Sequence, residues 1–219
     1  MIVPVKIGLR VIDIWNESME DEVVAYEKEP LHKNQIVFYG PSYFTRWSKR
    51  FGMKPMRDVL LGASGAPCVV NRGFGSSCAE QQLYYYPRMI RPLEPKVLVY
   101  TSQANGPSFG YSDEESWELA QRVIAYAMTD FPGIRVYLVG AYPSRDMTPE
   151  GADKLRQYNA VVKTFAENTP NCAYIDAMEY EPFHRKDIYV EDGVHFNQTG
   201  YDLCAEFYRE ALKDELAAF

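Results

Sequence analysis

Near its C-terminal end the sequence reads Asp192-Gly193-Val194-His195, an aspartate three residues before one of only three histidines in the chain. An imidazole has two nitrogens. A carboxylate at that spacing can hold one while the other takes a proton from a hydroxyl. The matching hydroxyl is Ser42, in Gly40-Pro41-Ser42, directly after the apolar run Gln35-Ile36-Val37-Phe38-Tyr39. A serine at a strand-to-helix turn presents its hydroxyl at the edge of a sheet, and the following helix N-terminus favours negative charge developing there. The chemistry open to such a trio is acyl transfer, with serine as nucleophile and histidine as general base. Singly, each has a commoner explanation. Serines after strands are mostly caps or turn formers, and Asp-Gly is a turn signature. His32 and His184 stand beside Lys33 and Arg185 and read as solvent-facing.

Acyl transfer also needs donors for an oxyanion, and two further segments offer them. Asn71-Arg72-Gly73-Phe74-Gly75-Ser76-Ser77 follows a second apolar run, and its glycines let backbone amides approach a ligand. Ser102-Gln103-Ala104-Asn105-Gly106 follows a third, and an asparagine amide can donate to an oxyanion.

These residues act together only if the fold gathers them. Five short apolar runs, at 35–39, 67–71, 97–100, 134–139 and 173–176, have the length and the β-branched or aromatic bias of buried strands. Helical patterns alternate with them, at 19–28, 42–50, 76–92, 113–131, from Thr148-Pro149-Glu150 to about 167, and 199–218. Strands alternating with helices predict an α/β fold with a five-stranded parallel sheet covered on both faces. Ligands bind such sheets beyond the C-terminal ends of the strands, where the candidate residues fall. With no repeat, long linker or low-complexity tract, one domain is the economical reading.

Composition excludes several classes. Apolar residues are 47% and charged residues 24% of the 219, a globular balance rather than a disordered one. A net charge of -7 disfavours nucleic acid and anionic lipid as partners. No run approaches a membrane span. Cys68, Cys78, Cys172 and Cys204 include no CxxC pair and no histidine at zinc-ligand spacing, so a structural metal is not expected. The first 22 residues lack a basic segment followed by a long apolar one, and the chain reads as cytoplasmic with reduced thiols.

Taken together, the segments around Ser42, Gly73, Asn105 and His195 resemble the SGNH subgroup of the GDSL esterase/lipase family over roughly residues 34 to 212. Phe38 to Trp47 resembles the family's first block, Asn71 to Gly75 its second, and Pro95 to Asn105 its third. Asp192 to Tyr201 is a close match to the fifth and the most specific of the four. The resemblance implies a flavodoxin-like three-layer α/β/α sandwich, with residues 34–219 as the hydrolase domain and 1–33 as an N-terminal extension packed on it. It implies Ser42 as nucleophile, His195 as base and Asp192 as its orienter. The oxyanion donors it implies are the Ser42 N–H, the Asn105 side chain and a second-block amide at Ser76, with Gly75 as the alternative.

Three positions depart from the family pattern: Pro41 before the serine, Ser76 where glycine is usual, and Gly106 where aspartate often follows the asparagine. None removes a triad member. The expectation is a serine esterase acting on short-acyl, acetyl-type esters of a carbohydrate or other small molecule, with no metal or cofactor. The alternatives are a lysophospholipase or thioesterase-type acylhydrolase, an acyltransferase, or a non-catalytic acyl- or sugar-binding relative. Oligomeric state is left open. Gly73 to Cys78 nearly matches a dinucleotide fingerprint but lacks the third glycine and follows the second strand. Tyr84-Tyr85-Tyr86 cannot share one helix face. Asp187, Glu191 and Asp192 form an acidic stretch without an EF-hand pattern.

Overall fold

A computed structural model describes residue 10, residues 16–101 and residues 105–219. Residues 102–104 of the expected third block, and 1–9 and 11–15 of the N-terminal extension, lie outside the described residues. The five apolar runs form β1 (Ile36–Gly40), β2 (Val69–Gly73), β3 (Val97–Tyr100), β4 (Arg135–Val139) and β5 (Cys172–Ile175). All pair in parallel, in the order β2-β1-β3-β4-β5. The largest boundary error is in β2, expected from Pro67. Proline has no N–H to give a ladder, and Pro67 instead bridges antiparallel to Leu61 before the chain enters the sheet.

Alternation along the buried strands divides the core in two. Val37, Tyr39, Leu98, Tyr100, Val136 and Leu138 face one layer of helices. That layer is α1 (Asn16–Glu27), with α4 (Ala79–Met89), α5 (Asp113–Asp130) and α6 (Pro149–Glu167). Ile36, Phe38, Val97, Val99, Tyr137 and Val139 face the other. It holds α2 (Ser42–Thr45), α3 (Met56–Val59), α7 (Gln198–Ala211) and α8 (Lys213–Ala217). Adjacent residues on a strand point to opposite faces, so a strand buried on both sides reads as a continuous apolar run.

Helix boundaries correct three expectations. Residues 42–50 are not one helix: α2 stops after one turn, and a 3₁₀ turn follows at Lys49–Phe51. Ser48 between them is extended, and its hydroxyl donates to the Thr45 carbonyl at 2.9 Å, a local bond that competes with helix continuation. The 76–92 pattern begins only at Ala79, where the Gln81 side chain accepts from the Cys78 N–H. The last pattern divides at Leu212 into α7 and α8. It also starts one residue earlier than expected, because the Asn197 side chain accepts from the Gly200 N–H as an N-cap.

The N-terminal helix is tied down by more than apolar contact. Met19 and Val23 are buried in the core. Arg88 of α4 donates to Glu20 and Glu27, and the Tyr26 hydroxyl donates to the Gly73 carbonyl at 2.6 Å. In the Tyr84–Tyr86 run, Tyr84 is exposed while Tyr85 and Tyr86 are buried. No helix among the described residues is long and apolar enough to cross a membrane.

Candidate active site

Ser42 is the first residue of α2, at the C-terminal end of β1, and is half-buried. Pro41 is its N-cap in extended conformation with φ -80°, inside the range the proline ring enforces. Proline is thus compatible with the turn at this position. Behind Ser42, the Tyr43 ring stacks on Tyr142 at 4.4 Å and lies against His195 at 5.9 Å between centroids. Trp47 is buried and stacks on Tyr201 of α7, whose hydroxyl donates to the Tyr43 carbonyl. These contacts fix the serine turn against the helix that follows His195.

Asp192 and His195 lie on the loop between β5 and α7. Gly193 adopts φ +70°, a left-handed conformation that glycine accepts without steric cost. That turn lets one oxygen of Asp192, Oδ1, accept from the Val194 and His195 N–H groups at 2.9 Å each. The other, Oδ2, lies 2.7 Å from His195 Nδ1, and His195 Nε2 lies 2.8 Å from Ser42 Oγ. Burial pushes the Asp192 carboxyl up, but the two amides and the His195 ring together hold it down at about 2. It is therefore a carboxylate, an acceptor only. Nδ1 then carries the imidazole proton, and Nε2 is left to accept from the Ser42 hydroxyl. The three residues singled out in the sequence are brought into one hydrogen-bonded line.

The loop is held from outside by Arg145. Its backbone N–H donates to the Gly193 carbonyl at 2.8 Å, and its guanidinium donates to the carbonyls of Val190 and Glu191. Arg145→Ala removes the two guanidinium bonds. It is expected to cost about 1–3 kcal/mol, lowering Tm and also kcat by loosening the loop that carries His195. Thermal unfolding and steady-state kinetics on the same preparation check this. Arg46 adds a cation 3.5 Å from Asp192 Oδ2.

The three candidate oxyanion donors surround the same opening. Ser76 has φ +60°, the left-handed region where glycine is the usual occupant, so the backbone keeps a glycine-type conformation under a serine. The Gly75 N–H is directed at Glu22, 3.3 Å from Oε2. The N–H groups of Ser42 and Ser76 make no hydrogen bond among the described residues. Asn105 donates one side-chain N–H to the Ser77 carbonyl at 2.9 Å, which joins the second and third segments. An amide has a second N–H to give. Asn71 braces the arrangement: its amide donates to the Phe44 carbonyl, and its oxygen accepts from the Gly73 N–H. Gly106 is buried, and a Cβ there would lie 2.3 Å from Ser116 Oγ of α5. The close packing of that helix accounts for the glycine.

Ser42, Ser76, Asn105 and His195 open onto one cavity of about 430 Å³. Its wall includes residues that the sequence did not point to: Ser18 and Glu22 of α1, and Arg46, Arg50 and Phe51 after the serine. Burial raises the Glu22 carboxyl, opposed by the Gly75 N–H and by Arg50, whose Nη1 lies 3.6 Å from Oε1. No local pattern marks Glu22, since its place in the cavity depends on how α1 packs. The acidic stretch does not converge. Asp187 pairs with Arg185 and Asp192 with His195, and no group of three or more potential metal ligands forms among the described residues.

A parallel sheet in this order, with a serine after β1 and an Asp-x-x-His after β5, defines the SGNH hydrolase fold. Solved structures agree. A GDSL-like lipase from Bacteroides thetaiotaomicron is 17% identical and superposes with a TM-score of 0.67, over 91% of this chain and 97% of that one. The acetylxylan esterase Axe2 from Geobacillus stearothermophilus is 15% identical with a TM-score of 0.67, over 86% of this chain and 99% of the other. An acetyl xylan esterase named AlAXEase is 18% identical with a TM-score of 0.67, over 81% and 99%. Among curated proteins no sequence match was found. The model of the GDSL-like Lipase/Acylhydrolase family matches residues 38–203, and the chain belongs to that family.

Proposed function

We propose that the protein is a serine esterase that hydrolyses acetyl-type esters of a carbohydrate or another small polar alcohol. The observation that carries this reading is the unbroken line from Asp192 through His195 to Ser42, at 2.7 and 2.8 Å. His195 Nε2 takes the proton as Ser42 Oγ attacks the ester carbonyl, and Asp192 stabilises the imidazolium that forms. The Ser42 and Ser76 N–H groups and the Asn105 amide stabilise the oxyanion. The tetrahedral intermediate collapses as His195 gives its proton to the leaving alcohol. Water, deprotonated by the same imidazole, then releases the acid from the acyl-enzyme.

The cavity supports the choice of a small, polar substrate. Glu22, Arg46 and Arg50 charge its wall beside Ser42, and charged walls oppose burial of a long alkyl chain. The structural likeness to two acetylxylan esterases agrees with this choice at the level of fold. Hydrolysis of p-nitrophenyl acetate, butyrate and octanoate, with acetate release from acetylated sugars, tests it. The expected profile falls with chain length, and a rate that rises from acetate to octanoate would contradict the assignment.

Asn105→Ala is expected to lower kcat by about 10²–10³-fold through loss of an oxyanion donor. Because Asn105 also holds the Ser77 carbonyl, Tm is read alongside. An unchanged kcat would remove Asn105 from the oxyanion site.

A further inference from the structure

The N-terminal helix lies outside the stretch matched by the family, residues 38–203, yet it sends a carboxylate into the cavity that holds Ser42. The Glu22 side chain is 15% exposed. Its two contacts, 3.3 Å to the Gly75 N–H and 3.6 Å to Arg50, are long. A carboxylate has about four acceptor sites, so these contacts leave capacity for a ligand. Arg50 is 70% exposed and offers donors beside it. Ser18, one helical turn before Glu22, lines the same wall.

The charges decide what such a wall accepts. A substrate ammonium would meet Arg50 and Arg46, and a substrate carboxylate or phosphate would meet Glu22. A neutral group that donates to a carboxylate and accepts from a guanidinium meets neither penalty. Hydroxyl groups do both, and neighbouring hydroxyls of one ring can engage both partners of the pair.

We propose that Glu22, with Arg50, is the specificity element for the alcohol part of the ester, binding hydroxyl groups of a neutral, polyhydroxylated leaving group. This rests on the esterase reading above and adds to it the residues that choose the alcohol. In this role Glu22 takes no part in bond making. It accepts substrate hydroxyls and orients the ester carbonyl toward Ser42. The raised Glu22 carboxyl agrees with a partly desolvated wall.

The test compares two acetyl esters that differ only in the alcohol: a monoacetylated methyl xyloside, whose remaining hydroxyls are free, and p-nitrophenyl acetate, which has none. The ratio of their kcat/KM values is measured for the wild-type chain, Glu22→Gln and Arg50→Gln. The ratio, rather than either rate, is the readout because Glu22 also holds the Gly75 amide. Glutamine keeps an acceptor for that amide and preserves the fold. Glu22→Gln is expected to lower the sugar-to-phenyl ratio about tenfold or more, the size of a lost hydrogen bond to a charged group, and Arg50→Gln to lower it less. An unchanged ratio in Glu22→Gln with wild type active on both esters, or a wild type that cleaves p-nitrophenyl acetate but not the xyloside, would overturn the role of Glu22 alone. Failure of the wild type to release acetate from either ester would overturn the esterase reading, and this proposal with it.

Discussion

Ser42→Ala is expected to lower kcat by about 10⁶-fold, the scale seen when the nucleophile of a Ser-His-Asp enzyme is removed. The variant loses a single oxygen from a half-buried position. The turn around it stays held by the Asn71 bond to the Phe44 carbonyl and by the stacking of Trp47 on Tyr201. Tm is therefore expected to change little, which separates loss of chemistry from loss of structure. Residual activity above the uncatalysed rate would come from the oxyanion donors and substrate binding, which the substitution leaves in place. A variant that keeps more than a few per cent of wild-type turnover would mean that another group attacks the ester.

Asp192→Asn is expected to cost about 10⁴-fold in kcat. The wild-type carboxylate spends Oδ1 on the Val194 and His195 amides and Oδ2 on His195 Nδ1. An asparagine can keep its oxygen on the two amides, which preserves the turn at Gly193. Its NH₂ then faces Nδ1 and cannot accept from it. The imidazole is driven to the tautomer with the proton on Nε2, where it can no longer take one from Ser42. The wild-type carboxyl is held at about 2, so it stays ionised as pH falls through the range in which ordinary carboxylates titrate. An acid limb in the kcat/KM profile above pH 4 therefore belongs to a group other than Asp192. A full-rate Asp192→Asn enzyme would mean that the Asp192 carboxylate does not set the tautomer of the His195 ring.

Much of this site could be read from the sequence because its signals are local. Asp192 and His195 are three residues apart, and Gly193 between them marks the turn that lets one carboxylate reach two amides and a ring. Ser42 follows an apolar run, and in a parallel sheet the end of such a run is the ligand edge. The sheet was legible for the same reason, since strands buried on both faces are uniformly apolar. The break in the 42–50 helix was not, because it depends on the Ser48 hydroxyl turning back to the Thr45 carbonyl. Glu22 and Arg145 were invisible for a different reason. Each reaches the site across a long stretch of chain, Glu22 to Gly75 and Arg145 to Val190 and Glu191. Neither has a neighbouring pattern that singles it out from other surface charges. Gly106 departs from the family pattern, and the reason for the glycine lies in the packing of Ser116 against it, which no local pattern shows.

Covalent capture reads out whether Ser42 is a nucleophile armed by His195. The full-length chain is incubated with a fluorophosphonate and its intact mass measured, with Ser42→Ala treated in parallel. A single adduct on the wild-type chain, mapped to the peptide containing Ser42 and absent from Ser42→Ala, is the result expected. A wild-type chain that takes up no label, or a Ser42→Ala chain labelled at the same rate, would contradict it.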